Sequence, residues 1–372
     1  PHDHARSRAY RWGEDGLLGI SDAKGQLCFG LTLWNGRDSI LKERPFGLAN
    51  GEGNHGEDIK DYFYHLLNTP THSFMRGLYK YPQQEFPYRQ LLEENQRRNR
   101  EQPEYELVDT GIFAEQRYFD VFVDYAKATP EDLLIRIKVV NRGPEAAQLT
   151  LLPTLWLRNQ WDWGYRDAAS ERRPITLVGQ GLQTPALDGL AGYQLVCREA
   201  GQWLFTENST NTERLYGTPN AQPYVKDAFH RFVVDGDAKA VNPKAEGTKA
   251  AVLLRQSIPA GGEWQVDLRL ARQLPVGPLA EEFDQILQQR EQECFQYFEA
   301  CAPNLNADDA LIFRSAASGL LWCKKFYRWA VVRWLSGDPN HPQHPRKPLA
   351  TQNAYQRRWA DDEVISMPDS WE

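Results

Sequence analysis

The chain has 372 residues, with 43 Lys+Arg against 50 Asp+Glu and a formal net charge of −7. At roughly 150 residues per domain, that length fits about two domains, or one large β unit with an appendage. Hydrophobic residues make up 41% and charged residues 25%, an ordinary globular balance, while the mild acidity argues against nucleic acid as the main partner and no apolar run approaches the ~20 residues of a membrane helix.

The chain opens at Pro1, in a polar stretch without the apolar core of a signal peptide. From about residue 10 to about residue 273 the pattern is strand-like. Tyr118 to Tyr125 form a β-branched and aromatic run, and Tyr193 to Cys197 another. Ile135, Ile137 and Val139 alternate with Arg136 and Lys138, and Val266, Leu268 and Leu270 alternate with Asp267, Arg269 and Ala271. Such alternation puts one face on a core and the other on solvent. Turn signals punctuate these runs at Asn141-Arg142-Gly143-Pro144, Ala200-Gly201, Asp235-Gly236-Asp237 and Pro259-Ala260-Gly261-Gly262. Strands joined by turns rather than helices predict a large antiparallel two-sheet assembly, with one helical interruption around residues 88–100.

After Leu274-Pro275-Val276-Gly277-Pro278 the period changes. Leu279, Phe283, Ile286, Leu287, Cys294, Phe298 and Cys301 recur at helical intervals, which predicts a helix with Pro278 as its first residue and Ala302-Pro303-Asn304 as its end. A second helix is expected from a cap at Asp308 or Asp309 to about Leu335. It would carry Leu311, Ala316, Leu320, Cys323, Tyr327, Val331 and Trp334 on its apolar stripe. From Gly337 to Pro348 prolines fall at every third position, as in an extended connector. The pattern divides the chain into a β domain over 1–274, a linker helix over 275–305 and the start of a helical domain over 306–372. Both termini read as cut ends.

Cys28, Cys197, Cys294, Cys301 and Cys323 are odd in number and form no CxxC pair. That excludes a zinc ribbon, argues against a disulfide framework and favours a reducing, cytoplasmic compartment. Cys294 and Cys301, seven apart, read as two buried residues of the first helix.

Aromatic residues make up 12%, and Trp alone numbers 12. Indole faces stack on sugar C–H surfaces, but aromatics also fill sandwich cores, and for composition alone the core role is the stronger reading. The densest cluster is Leu155-Trp156-Leu157-Arg158-Asn159-Gln160-Trp161-Asp162-Trp163-Gly164-Tyr165-Arg166-Asp167. Here a strand runs into a loop in which Trp161, Trp163 and Tyr165 alternate with polar groups. This loop suits a sugar subsite and, equally, a wide hairpin packed on a neighbouring domain.

Gly51-Glu52-Gly53-Asn54-His55-Gly56-Glu57-Asp58 lacks a second His or Cys at ligand spacing, so it reads as a polar turn rather than a metal site. It matches no phosphate loop, and the chain contains no Gly-x-Ser-x-Gly elbow. The adjacent carboxylates Glu93-Glu94, Glu281-Glu282 and Asp308-Asp309 read as helix surfaces or caps. Asp361-Asp362 has no better claim. The residues nominate no acid/base couple, metal or cofactor.

Several runs carry a family resemblance: Arg11-Trp12-Gly13-Glu14-Asp15-Gly16, Leu33-Trp34-Asn35-Gly36, Lys42-Glu43-Arg44-Pro45-Phe46-Gly47-Leu48, Gly53-Asn54-His55-Gly56-Glu57-Asp58, Pro153-Thr154-Leu155-Trp156 and Ile365-Ser366-Met367-Pro368-Asp369-Ser370-Trp371-Glu372. Together they resemble the amino-terminal part of large bacterial proteins similar to glycoside hydrolase family 63. That group includes mannosylglycerate/glucosylglycerate hydrolase-like proteins and is distantly related to processing α-glucosidase. The resemblance implies a mainly β chain, a β-super-sandwich followed by the first helices of an (α/α)6 barrel, with the active site in the barrel mouth. It implies inverting hydrolysis of an α-glycosidic bond by two carboxylates ~6.5–9.5 Å apart. Both would lie beyond Glu372, so the chain would be the non-catalytic part, with the carbohydrate substrate and the barrel as its partners. Asp369, Trp371 and Glu372 match the run leading into the family's sugar-binding segment, and they equally suit a purely structural barrel loop. Phosphorolysis in place of hydrolysis stays open, as does a carbohydrate-binding or scaffolding sandwich without activity.

Overall fold

The computed structural model describes residues 3–9, 16–48, 58–164, 171–187, 189–330, 339 and 360–365, with the backbone alone for 3, 4, 58, 325–330 and 360–365. Two antiparallel sheets dominate it. The five-stranded sheet has the order β1 (Leu17–Ser21), β2 (Leu27–Trp34), β9 (Ala147–Leu157), β15 (Lys249–Ile258), β13 (Gln202–Thr206). The nine-stranded sheet runs β14 (Glu246–Gly247), β10 (Ile175–Val178), β11 (Gly181–Gln183), β12 (Gln194–Cys197), β16 (Glu263–Ala271), β8 (Asp132–Asn141), β7 (Tyr118–Thr129), β6 (Phe74–Pro82), β5 (Phe63–Asn68). Two short ribbons join β3 (Gly47–Leu48) to β4 (Asp58–Ile59) and β17 (Lys324–Ala330) to β18 (Ala360–Ile365). The protein is mainly β, as the period-2 runs predict. The turn signals at Asn141–Pro144 and Pro259–Gly262 join β8 to β9 and β15 to β16. The interruption near residue 88 is helix α1 (Tyr88–Arg97), followed along the chain by the short helices α2 (Thr212–Tyr216) and α3 (Ala228–Val233).

Alternation assigns the faces. Phe29, Leu31 and Leu33 of β2, Leu149, Leu151, Leu155 and Leu157 of β9, and Val252 and Leu254 of β15 point into the sandwich. They meet Tyr79 and Tyr81 of β6, Val121, Val123 and Tyr125 of β7, Ile135, Ile137 and Val139 of β8, and Val266 and Leu268 of β16. Each such burial contributes about 1.5–3 kcal/mol. The outer face of the five-stranded sheet is also covered: Leu152, Leu204, Ala251 and Leu253 pack with Leu41, Phe229 and Val233.

Helix α4 (Glu281–Cys301) lies on the outer face of the nine-stranded sheet, where Phe283, Leu287, Cys294 and Phe298 pack on Leu67, Phe74, Ala126 and Leu134. Ion pairs flank this contact: Arg76 reaches Asp124 and Glu291, and Arg136 reaches Asp267 and Asp284. The helix starts at Glu281 rather than Pro278, because Gly277 makes a turn and the Pro278 carbonyl accepts from Arg269 at 3.0 Å. Glu281, Glu282 and Asp284 fill its first turn, where carboxylates suit the helix dipole. Cys294 is buried, but Cys301 is exposed, since it sits in the last turn beyond the final sheet contact at Phe298.

The second helix differs more from expectation. Helix α5 spans Ala307–Trp322, not up to Leu335. Its cap is Asn306, which accepts from the Asp309 N–H at 2.9 Å and donates to the Asp309 carboxylate at 2.7 Å. It ends where the Trp322 indole stacks on His65 at 4.6 Å and donates to the Gly19 carbonyl at 3.3 Å. The next residues pair as a strand, with Lys324 opposite Ile365 and Ala330 opposite Ala360. The packed face matches the predicted one only at Cys323, which is buried: Phe313 and Ala317 pack inward and Ser318 is buried, whereas Leu311, Ile312 and Leu320 are exposed. No helix of the described residues is long and apolar enough to cross a membrane. Apart from Pro339, the Gly337–Pro348 connector lies outside the described residues, as do 51–57 of the polar turn.

Candidate functional site

One end of the five-stranded sheet gathers the C-terminal ends of β9 and β13 and the start of β15. There Trp156 pairs with Lys249 and Thr206 with Lys249, so the chain leaving β9 and the chain leaving β13 emerge side by side. Leu157 and Arg158 make the last ladder bonds, their N–H groups donating to the Thr248 and Gln26 carbonyls at 2.8 and 2.9 Å. The chain then folds into a single 3-10 turn, Trp161–Trp163. Gly164 closes it at a φ of 81°, a conformation open to glycine at no steric cost.

The turn is held from below by Asn159, which is 2% exposed. Its amide donates to the Asp162 carboxylate and, at 2.9 Å, to the Asn208 carbonyl. Its carbonyl oxygen accepts from the Asp162 N–H at 3.2 Å. This arrangement fixes which end of the amide is which, since a flipped group would set oxygen against two oxygens. The Trp161 indole donates to Ser209 at 3.4 Å, and the same hydroxyl receives the Gln222 amide at 3.2 Å. Beneath Trp163 lies the buried Arg158 guanidinium, 5.4 Å from the ring centre, a cation–π contact.

Glu207, 3% exposed, sits behind the turn. Arg172 clamps both of its oxygens, and Thr248 donates to it at 2.7 Å. Asp162 is exposed as a residue, yet its carboxyl is turned toward the buried Asn159. Desolvation there raises its pKa, the Asn159 donor and the Arg172 charge work against the rise, and Glu207 adds to it.

The structure therefore brings Trp161, Asp162 and Trp163 together at one rim, half-buried indoles flanking a carboxylate held on the Asn159 amide. Such a set can stack on an apolar sugar face while accepting hydroxyl hydrogens. Tyr165, Asp369, Trp371 and Glu372 lie outside the described residues. Glu207 is held bidentately and closed from solvent, so it supplies no partner acid to Asp162. Among the described residues no group of three His, Cys, Asp or Glu is placed to hold a metal ion. Sequence reasoning missed Arg172, Glu207, Asn208 and Ser209, which reach the turn from distant positions, and passed over Asn159, whose one signal was its place two residues past an apolar strand.

No family model matches the chain. It is 35% identical over 422 aligned positions to the uncharacterized protein YMR196W of Saccharomyces cerevisiae, an alignment covering 100% of this chain and 38% of that protein. The chain thus spans well under half the length of this curated relative. Among solved structures it is similar to a candidate kojibiose phosphorylase from the human microbiome, with 5% identity and a TM-score of 0.28 over 88% of this chain and 38% of that one. It is also similar to a polysaccharide lyase, with 12% identity and a TM-score of 0.28 over 72% of this chain and 29% of that one. Overlaps at this level carry no inference about chemistry.

Proposed function

We propose that this chain is the non-catalytic β-sandwich part of a longer carbohydrate-active enzyme of the α-glycosidase class, and that the Trp161–Trp163 turn contributes a sugar-binding rim. The observation that carries the reading is that turn: two indoles flank a carboxylate on a loop pre-ordered by a buried amide. Pre-ordering removes much of the entropy that a flexible loop loses on binding. The motif resemblance supports it, and in this reading the chain divides into a sandwich over 1–274, a linker helix over 275–305 and the beginning of a helical barrel over 306–372. In this reading the acid and base of hydrolysis belong to the barrel, and the substrate is an α-linked oligosaccharide.

The test has two arms. Titration of the chain with maltotriose, followed by indole fluorescence, should give saturable quenching. The full-length protein should release glucose from α-glucosides without phosphate. Binding by the chain with no turnover by the full-length protein would instead fit a carbohydrate-binding sandwich, and phosphate-dependent release would fit phosphorolysis.

A further inference from the structure

We propose that Asn159 is the positioning residue of this site, its side-chain amide locking the Trp161–Trp163 turn into the geometry that presents both indoles. The inference rests on the sugar-rim reading for its purpose, but its structural content is independent of it. One buried group ties three points together: the Asp162 carboxylate, the Asp162 N–H and the Asn208 carbonyl of the neighbouring strand exit. A side chain that serves all three must offer two donors and an acceptor at once. Among the short side chains only Asn does so. An aspartate has the same shape but, when ionised, sets a negative charge against both the Asp162 carboxylate and the Asn208 carbonyl. The other charged groups around this point are Arg172 and Glu207, paired with each other, and Arg158 under the Trp163 ring.

The isosteric Asn159→Asp variant of the 372-residue chain provides the test, read by near-UV circular dichroism of the indoles and by maltotriose titration. At about pH 8, where carboxylates are ionised, the indole signal should diminish and affinity should fall about tenfold, the loss expected for one charge-assisted hydrogen bond. Lowering the pH through the carboxylate range should restore both in part, because the introduced carboxyl, once protonated, regains one of the two donors. The double variant N159D/D162N should recover part of its indole signal at about pH 8, because the amide introduced in the turn then donates to the carboxylate introduced beneath it, while the Asn208 carbonyl still lacks its donor. An N159D signal equal to wild type at every pH overturns the proposal, as does a loss that neither acid nor the second substitution repairs. Should N159D fail to fold, N159A decides: a folded protein with a diminished indole signal supports Asn159 as the lock, and a signal equal to wild type overturns it. Indole signals that behave as expected while wild type ignores maltotriose leave the positioning role standing and remove the sugar reading.

Discussion

Lys42 shows how much of this protein's order is decided by single polar groups. It is 2% exposed, its ammonium 3.3 Å from the buried Asp61 and 3.8 Å from the centre of the Phe86 ring. Asp61 also receives the Tyr79 hydroxyl and the Phe46 N–H, and nearby Asp38 receives Tyr81 and Tyr88, both at 3.1 Å. The network fastens the segment after β2 to the larger sheet. Lys42→Met would leave the Asp61 charge buried without its cation, and should cost about 3–5 kcal/mol in urea unfolding. His230 supplies a pH-dependent counterpart. Its Nδ1 accepts from the buried Leu41 N–H at 3.2 Å, so the neutral ring is the one that fits. Burial, helped by the Arg6 charge, pulls its pKa below the ordinary value. The unfolded chain therefore takes up the proton first on acidification. Stability from neutral His230 is complete above about pH 6.5 and is lost as the pH falls from there through the folded-state pKa. His230→Gln should flatten the acid side of a melting-temperature profile in that window, and an unchanged slope would refute the assignment. None of these networks was legible in the sequence. Lys42 and Asp61 are unremarkable polar residues until strand pairing makes them neighbours, just as Glu207 reaches the Trp161 turn only through the β13–β15–β9 ladder.

At the scale of elements, α4 and α5 show what periodicity does and does not reveal. The α4 stripe was readable, and Phe283, Leu287, Cys294 and Phe298 do pack on the sheet. Phe283→Ala should therefore cost about 3–5 kcal/mol, measured by chemical denaturation, with a surface-like loss of under about 1 kcal/mol contradicting the packing. For α5 the stripe is right at Cys323, which is buried, but misleads at Leu311 and Leu320, and Tyr327 continues the helical spacing into residues that pair as a strand. The partner that settles the choice, β18, lies some thirty residues away along the chain, and no local signal announces it. The outcome leaves Leu311, Ile312 and Leu320 exposed. Exposed apolar faces promote association. Ile312→Lys with Leu320→Lys should thus reduce concentration-dependent light scattering while changing stability by no more than about 0.5 kcal/mol per site. Equal scattering before and after would show that this face is not what associates.

For the whole molecule, the sandwich was legible because strand alternation is a local property repeated many times: Ile135, Ile137 and Val139 had to share a face whatever their partners. The order of strands was not, since β2, β9 and β15 are neighbours drawn from distant parts of the chain. The candidate site follows the same division. Its indoles stood out as a cluster, while the groups that fix them arrive through tertiary pairing. The sandwich matters to function in this account because it turns a sheet end into a rigid platform, with the Trp161–Trp163 turn standing on buried hydrogen bonds rather than swinging free. The most direct measurement is an indole-fluorescence titration of the chain with maltotriose beside its Trp163→Ala variant, with far-UV circular dichroism confirming that both are folded. The account predicts saturable quenching in the wild type and at least about tenfold weaker binding in the variant, the effect of losing one stacked aromatic contact. Absence of any response in the folded wild type, or equal affinity in the two proteins, would contradict it.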